Sequence, residues 1–581
     1  MKRNDSLIKE KVYKYMLTGI MTTMALQLGN VVDAMIVGNL IGSIGNSAVS
    51  AALPYVYILQ AAAILLATGG AVTVAVLLGR RDPGSADKVM GFCLLAGFAY
   101  TLLFLVLSPA VVPFFVRLTG AEGQLKEMIS DIAYIYSFGM PIICFVIEMA
   151  YFMNVDNHPA LSAKINIAAN VVNLGFDLVL VKFTPLGIKG AALSTVMGYA
   201  IAGAVFIPHY AKSSDRVLKP VFKEFKEAGP MIVSSLRCGI PNLTNLIATV
   251  IGMAVMNAAV LHTLGSSYFS AYSVANNTLH IVQMFINGIS SVIATVAGVL
   301  YGENDYFGVR AVFGRVMKAA FVSGGIIMAV FIAVPQFIAG MYGFDVPEVM
   351  PELLSGLRIF SLSFGFFILN TLSQDYYRTI GQTFLSTADC AMELLIIKVP
   401  LMICGMKMYG FNGLFGAIIF SELLTFIALN IIRAVMQKTG RISYKGFMAI
   451  PEGSGSSLDM TISGKDEDAA DAAREIMEFC RKENVPDEKA MAVRFAVEEI
   501  AANIGKHGYD RTGKDHIDIC LSKVGDNISL RFRDNGAAFD PVAYDPEDSG
   551  GYPGGLGILK KMPVKISYMR VLGLNNTVID I

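Results

Sequence analysis

The chain of 581 residues has little charge and no cysteine motif. Only 16% of its residues are Asp, Glu, Lys or Arg, whereas soluble domains carry about 25%. With a hydrophobic content of 54%, this excludes a disordered or collagen-like chain. The seven cysteines form no CxxC pair, which argues against a disulfide-stapled or metal-binding fold. The sequence also lacks a GxxxxGK[ST] phosphate loop, so ATP-powered pumping is poorly supported.

The charge is unevenly distributed along the chain. Residues 459–581 contain 16 Lys and Arg and 22 Asp and Glu, so 38 of these 123 residues are charged. The preceding 458 residues contain only 30 basic and 24 acidic residues. The sequence therefore predicts a polytopic membrane protein followed by a small acidic soluble domain.

Twelve apolar runs are long enough to cross a bilayer as helices. They cover residues 15–40, 50–79, 89–112, 128–153, 162–183, 188–210, 231–261, 268–300, 313–339, 352–377, 385–408 and 413–437. Both termini and every second loop together carry 23 Lys and Arg, against six in the opposite loops. The positive-inside rule therefore predicts that both termini are cytoplasmic. The basic N-terminus shows no small-residue cleavage site, so a cleaved signal peptide is not expected.

The membrane part repeats itself at an offset of about 220 residues. Residues 33–82 match residues 256–305, and GIKGAA at 187–192 resembles GFNGLF at 410–415. Such duplication is typical of secondary transporters, which have a central cavity between the repeats. We therefore predict an all-α membrane part with two six-helix lobes, residues 1–225 and 226–440. A linker at 441–457 and a soluble domain at 458–581 follow.

Two carboxylates of the first lobe lie at bilayer depth, Asp33 in span 1 and Asp177 in span 5. Span 5 also carries asparagines that share one helical face with Asp177: Asn166, Asn170 and Asn173. A charge at the bilayer centre costs at least ~2.5–3.5 kcal/mol, which marks it as functional. A proton or Na⁺ would relieve the repulsion between the two acids, as a coupling site requires. The alternative is a structural hydrogen-bond network between helices.

The second lobe is less symmetric. Asn257 and about Pro400 stand where the repeat would place acids matching Asp33 and Asp177. The intramembrane charges of this lobe are instead Glu393, Lys398 and Glu422. Like Glu148 in span 4, each is a candidate functional group, a neutralising partner or a snorkelling side chain.

In combination, these motifs resemble the multidrug and toxic compound extrusion (MATE) family. The resemblance covers roughly residues 10–440 and rests on DAMIVG at 33–38, NVDNHP at 154–159, NLGFD at 173–177 and GIKGAA at 187–192. It implies an antiporter in the plasma membrane that exports small amphipathic or cationic compounds. The implied cation-coupling residues are Asp33, Asn173, Asp177 and Thr195. Other members carry Na⁺-binding acids in the second lobe, a pattern not clearly reproduced here, so H⁺ and Na⁺ both stay open.

The soluble tail follows a linker, PEGSGSS at 451–457. Periodicity predicts strands at 458–462, 515–523 and 527–533, helices at about 466–484 and 486–507, a short helix and two closing strands. This order indicates an α+β two-layer sandwich. Glu499, Asn503 and His507 share one helical face. Backbone amides in the Gly-rich segment GGYPGGLG at 550–557 could approach phosphates, although taken alone this segment is weak evidence and is also explained as a turn.

Together, EEIAANIGKHGY at 498–509 and DNGAAFDP at 534–541 resemble the GHKL (Bergerat-type) ATPases, in particular the serine kinases that act as bacterial anti-sigma factors. The resemblance covers residues 458–581 and implies binding of ATP and Mg²⁺. It implies these roles: Glu499 as general base, Asn503 as Mg²⁺ ligand, Asp534 and Gly536 in the adenine pocket, and Gly554, Gly555 and Gly557 in the lid and phosphate loop. Ala538 replaces a usual second glycine, so binding is better supported than catalysis. His507 is equally readable as structural.

Two functions fit these patterns. The first is a cation-coupled exporter in the membrane lipid, with a tail that binds ATP and either regulates transport or phosphorylates a cytoplasmic regulatory protein. The second is a membrane sensor whose tail phosphorylates or sequesters a signalling partner. The Asp33–Asp177 pair and the repeats favour transport of a small molecule, whereas Glu499 with Asn503 keeps kinase activity open. No feature points to nucleic acid.

Overall fold

The computed structural model describes residues 3–79, 82–156, 158–213, 218–303, 305–442, 446–448, 456–463, 465–508, 516–543, 555–571 and 574–581. The chain forms two compact units. The first comprises Met1–Leu17, Val292–Val316 and Arg433–Ile581, and the second comprises Thr18–Ser291 and Met317–Ile432. The boundaries of these two units do not coincide with those of the predicted lobes and linker, which therefore stay predictions.

Helices, most of them long and apolar, make up the membrane part. They are α1 Ser6–Ile41, α2 Ser43–Gly79, α3 Pro83–Thr119, α4 Gly123–Val155, α5 Pro159–Phe183, α6 Ile188–Ala211, α7 Gly229–Leu264, α8 Ser266–Val292, α9 Gly298–Gly302, α10 Tyr306–Ala333, α11 Pro335–Met341, α12 Met350–Ser361, α13 Phe364–Thr379, α14 Thr383–Ala391 and α15 Lys398–Lys438. Two π-helical turns, Ile293–Ala297 and Met392–Ile396, join α8 to α9 and α14 to α15.

Within the described residues, eight helices are long and apolar enough to span a membrane, or nine if the bent pair α12–α13 forms one span. This confirms a multi-pass membrane protein. The apolar stretch Thr383–Lys438 contains 56 residues, and its helix is interrupted at Gly410, whose φ is 65°. A straight helix of that length would far exceed the ~30 Å of hydrocarbon, so the stretch has room for two crossings. The count of twelve spans stays a prediction.

The predicted internal repeat finds support in the backbone. Three pairs of glycines adopt a positive φ at a constant separation of 223 residues: Gly42 and Gly265, Gly120 and Gly343, Gly187 and Gly410. A side chain is strained in this region, so glycine marks the places where each helix must turn sharply. The two halves of the sequence therefore share the positions of three turns.

The tail is built around one antiparallel sheet with the strand order β1-β2-β3-β5-β4. Its elements follow the predicted sequence: β1 Ser456–Ile462, α16 Asp466–Lys482, α17 Asp487–His507, β2 Ile517–Val524, β3 Asn527–Asp534, α18 Gly555–Leu559, β4 Lys565–Val571 and β5 Leu574–Asp580. The predicted α+β character is thereby confirmed. Most of the predicted Gly-rich loop, including Gly554, lies outside the described residues.

Alternation along the strands gives the sheet two different faces. Its helix-side face carries apolar side chains that pack with α16 and α17, among them Met460, Ile519, Phe532 and Ile579. The opposite face carries a polar row set by the strand register: Thr461 pairs with Asp518, Asp518 with Arg533, and Arg533 with Asn576. Asp534 and Asn575, the next pair on β3 and β5, therefore lie on the helix side.

Candidate functional site

A polar cluster between α5 and α6 contains three of the predicted coupling residues. The Asn173 amide donates hydrogen bonds to the hydroxyls of Ser194 and Thr195, each at 3.1 Å. Ser194 in turn donates to the carboxylate of Asp177, and both side chains are fully buried. Ser194 was missed in the sequence, because a serine in an apolar helix gives no signal until its partner is known.

Asp33 of α1 joins this cluster through Asp177. The two carboxyl groups interact directly, and each keeps one buried oxygen, Oδ1 of Asp33 and Oδ2 of Asp177, without a hydrogen-bond partner in the described part of the chain. No Lys or Arg of that part forms an ion pair with either acid. A cavity of about 30 Å³ adjoins Asp33 and has room for one or two waters. Among the described residues, the geometry is thus an acid pair without a counter-charge.

The remaining asparagines of α5 have different surroundings. Asn166 donates a hydrogen bond of 3.2 Å to the Ser162 carbonyl of its own helix. Asn170 faces α1, where its Oδ1 lies 3.0 Å from the position that a Cβ on Gly29 would occupy. The stripe thus directs Asn170 towards the helix that carries Asp33.

A second set of buried charges lies between α13, α14 and α15. Glu422 accepts a hydrogen bond of 2.8 Å from the Asn370 amide and one of 3.1 Å from the Lys398 ammonium. Lys398 is thus a neutralising partner for Glu422. Asp389, which sequence reasoning missed, is fully buried, and neither of its oxygens has a hydrogen-bond partner among the described residues. Its spacing of four from Glu393 on one helix was the available signal.

Lys398→Met is expected to destabilise the folded protein by about 3 kcal/mol, because it leaves Glu422 buried without its counter-charge. The Glu422 side chain is only 1% exposed, so water cannot replace the lysine. The measurement is the free energy of unfolding of the purified protein. Lys398→Met with Glu422→Gln should recover most of the loss; a double variant as unstable as the single one would contradict this explanation.

A cavity of about 390 Å³ adjoins this second set of charges. Its walls combine apolar side chains with a few polar ones, among them Met253, Tyr272, Phe367, Met402, Glu393 and Lys398. Such a mixture suits a small amphipathic molecule.

Glu148 of α4 is also fully buried, and neither of its carboxylate oxygens has a hydrogen-bond partner among the described residues. The absence of a side chain at Gly97 leaves room for it, since a Cβ there would overlap Oε1 of Glu148.

The tail contains a pocket of about 440 Å³ between the helix-side face of its sheet and α17. The predicted residues Glu499, Asn503 and Asp534 all line it, and the Asn503 amide donates a hydrogen bond of 2.9 Å to Glu499. Asp534 accepts bonds of 2.8 Å from the Gly536 backbone and from Asn575. Burial raises the pKa of Asp534, although these two hydrogen bonds act in the opposite direction. Asn575 was not predicted, because its strand position becomes meaningful only through the register.

Two glycines of the predicted set border this pocket closely. A Cβ on Gly536 would lie 2.6 Å from the Gly508 carbonyl, and one on Gly555 would overlap Oε2 of Glu499. Ala538 lines the pocket, is exposed and has no positive φ, so its methyl group causes no backbone strain. Gly557 is buried in α18. His507 ends α17, but its side chain lies outside the described part.

Gly536→Ala is expected to weaken the nucleotide binding that the sequence predicts for this pocket at least ~10-fold, because the new methyl group would force the 534–537 turn away from the backbone of Gly508. The matched control is Ala538→Gly, which should leave affinity almost unchanged. Titration of both purified variants with a fluorescent ATP analogue makes the comparison. Equal affinities of the two variants would contradict the assignment of this turn to the pocket.

Long apolar helices with buried acids, followed by a sheet domain with its own pocket, define a multi-pass membrane protein with an appended α+β domain. The MatE family model matches residues 19–179 and 241–404, more than half of the chain. The Histidine kinase-like ATPase domain model matches residues 462–578. The chain therefore belongs to the MATE family and carries a C-terminal histidine kinase-like ATPase domain.

Relatives and solved structures agree with this assignment. Multidrug export protein MepA of Staphylococcus haemolyticus (strain JCSC1435) is 21% identical over 404 residues, which is 68% of this chain and 86% of that protein. Its namesake in Staphylococcus aureus (strain MRSA252) is 22% identical over 390 residues, 66% of this chain and 84% of the relative.

Two solved structures share the fold at 18% identity. An inward-facing multidrug resistance MATE family transporter has a TM-score of 0.62 and covers 72% of this chain and 99% of its own. The MATE multidrug transporter DinF-BH, solved as a complex, has a TM-score of 0.60 and covers 74% and 96%.

Proposed function

We propose that the protein is a cation-coupled antiporter that exports small amphipathic or cationic compounds. The observation that carries this proposal is the Asp33–Asp177 pair, which has no counter-charge among the described residues. Ser194 connects the pair to Asn173, whose amide also donates to Thr195. An acid pair of this kind takes up a proton or Na⁺ readily, since either ion relieves the repulsion. The site can then change its charge during a transport cycle.

Magnitudes show what such a site could drive. One elementary charge crossing 100 mV is worth ~2.3 kcal/mol, and one pH unit is worth ~1.4 kcal/mol. One proton entering against one neutral substrate could therefore sustain a concentration gradient of roughly several hundredfold. Exchange against a monovalent cation would use the pH difference alone, about tenfold per unit.

The substrate class follows from the cavity beside Glu393 and Lys398. Its methionines and aromatic rings can make apolar contacts with substrates of different shapes. Its few polar groups can orient the polar or charged end of such a substrate. The names of the staphylococcal relatives, multidrug export proteins, support the same class.

We infer that the tail binds ATP with Mg²⁺ in the pocket beside α17. The residues fit the nucleotide: Asp534 presents a carboxylate for the adenine amino group, and Gly536 and Gly555 keep the rim free of side chains. Asn503 uses its amide nitrogen on Glu499, which leaves its oxygen available as a Mg²⁺ ligand. Glu499 would act as general base if a hydroxyl of a partner protein were phosphorylated. The tail then either regulates transport or acts as a serine kinase.

The orientation of the chain is part of this proposal. Both termini would be cytoplasmic, as the distribution of Lys and Arg indicates, and the tail would then have access to ATP.

The test is export from proteoliposomes under an imposed pH or Na⁺ gradient, with and without Mg-ATP on the tail side. Flux that depends on the gradient would support the exporter, and a change with Mg-ATP would make the tail its regulator. The absence of flux with every gradient and test cation would overturn transport. The sensor-kinase alternative would then be tested by phosphorylation of cytoplasmic proteins.

A further inference from the structure

The polar face of the tail's sheet is not open to solvent where Arg531 and Arg533 project from it. Arg533 donates to Asp305 at 2.8 Å and also to the Glu303 carboxylate, and its side chain is only 4% exposed. Arg531 donates to the Glu303 backbone carbonyl, and Asn576 donates to the Glu303 carboxylate. Glu303 and Asp305 belong to the loop between α9 and α10. We call Glu303 and Asp305 together the acidic loop.

The N-terminal segment completes this contact. Arg3 donates two hydrogen bonds to the carboxylate of Asp305, at 2.8 and 2.6 Å, and lies 3.6 Å from the Asp518 carboxylate on β2. The Asn4 backbone amide donates to Thr461 on β1 at 3.0 Å. Burial alone would raise the pKa of Asp305, but Arg3 and Arg533 outweigh it and hold that pKa well below its usual range. One ionised carboxylate therefore binds two buried guanidinium groups.

The sequence repeat shows that this contact is an addition to an ordinary helix start. Asp82 begins α3 by accepting from the Ser85 backbone amide at 3.1 Å, and Asp305 begins α10 by accepting from Gly308 at 2.9 Å. The two aspartates are 223 residues apart, as are the glycine pairs. The first copy reads GRRD at 79–82 and the second GEND at 302–305. Both copies end in an aspartate, but only the second copy adds an acid, Glu303, where the first has an arginine, so only the second copy has a net negative charge that complements Arg531 and Arg533.

The acidic loop and the nucleotide pocket meet the same two strands from opposite sides. On β3, Arg533 binds the loop and the next residue, Asp534, lines the pocket. On β5, Asn576 binds the loop and the preceding residue, Asn575, lines the pocket. A shift at this end of β3 or of β5 would therefore move one residue that contacts the acidic loop and one residue that lines the pocket.

We propose that the acidic loop is the docking partner of the ATPase-like domain, and that nucleotide binding at Asp534 and Asn575 is thermodynamically coupled to this docking. The coupling half of the proposal rests on the proposed function as a nucleotide-binding tail. By linkage, whatever loosens the loop contact changes nucleotide affinity, and nucleotide changes the loop contact by the same factor. Since α10 continues from the loop to Ala333, the contact is covalently joined to a helix long and apolar enough to span the membrane.

Docking is tested in the full chain without any nucleotide. Glu303→Cys and Asn576→Cys are introduced together as the pair to be cross-linked. To prevent other cross-links, Cys238, Cys404 and Cys520 are replaced by serine. A protease site in the linker allows the tail to be cut from the membrane part. A short thiol cross-linker should keep the two fragments joined after cleavage. The matched control is Arg80→Cys with Asn576→Cys, because Arg80 is the residue that matches Glu303 in the first copy of the sequence repeat. Equal yields from both pairs would overturn docking.

Coupling is tested by Asp305→Asn, which touches no pocket residue. Mg-ATP affinity of the full chain should fall at least ~5-fold, because Arg3 and Arg533 lose their shared carboxylate and the ends of β3 and β5 lose a fixed partner. The matched control is Asp471→Asn, which removes an exposed Asp–Arg pair of the same domain and should leave affinity unchanged. Unchanged affinity in Asp305→Asn would overturn coupling.

The two assays separate failure of this inference from failure of the proposed function. Absence of Mg-ATP binding in the unmodified chain would overturn the nucleotide role of the tail and, with it, coupling. The cross-link would still decide docking. If Mg-ATP bound normally but the acidic-loop pair cross-linked no better than its control pair, docking would be overturned and the nucleotide role of the tail would stand.

Discussion

Asp33→Asn is expected to abolish gradient-driven export while leaving the protein folded. The amide occupies nearly the same volume as the carboxylate, so packing between α1 and α5 is preserved. What is lost is the second negative charge beside Asp177, and with it the repulsion that a coupling ion relieves. The expected result is a loss of at least ~100-fold in coupled flux. A loss of this size corresponds to several kcal/mol, the scale of the energies of a charge inside the membrane.

The measurement is uptake of a fluorescent cation into proteoliposomes under an imposed pH or Na⁺ gradient. Unchanged melting temperature would show that the variant is folded. A matched control is Asp131→Asn, which removes a partly exposed acid that pairs with Lys189 at 3.3 Å and should leave flux intact. Full coupled transport by Asp33→Asn would refute the coupling assignment.

Sequence periodicity was sufficient to predict pairs of candidate site residues that lie on the same helix. The Asn173–Asp177 spacing and the Glu499–Asn503 spacing are each four residues, so both pairs could be placed on one helical face before any packing was known. The structure brings the members of each pair into a shared polar cluster or pocket. The same reasoning also ordered the helices and strands of the tail correctly.

Residues that act through distant partners were not predictable. Arg3 and Asp305 are 302 positions apart, and Arg533 and Asp305 are 228 apart. A charged residue in a loop has no periodic signal, since its meaning depends on which sheet face it meets. Asn575 was missed for a related reason: only the pairing of β5 with β3 places it beside Asp534. Register is set by the whole sheet, and single-strand patterns do not contain it.

The tail gives the second large effect: Asn503→Ala is expected to lower Mg-ATP affinity at least ~100-fold, with a smaller effect on ATP alone. Asn503 is the proposed Mg²⁺ ligand, and its amide also holds Glu499 at 2.9 Å, so alanine removes both the metal contact and that orientation. Titration with a fluorescent ATP analogue, with Mg²⁺ and with a chelator, separates the two contributions. Unmodified protein should lose affinity when Mg²⁺ is removed, whereas Asn503→Ala should respond little.

Asn527→Ala is the matched control, because Asn527 is exposed at the start of β3, outside the set of residues that line the pocket. It should bind Mg-ATP like the unmodified chain. If Asn503→Ala kept its Mg²⁺ dependence, the metal would be held by other residues. The buried face of α17 would then serve adenine binding and domain stability, with no role in metal binding.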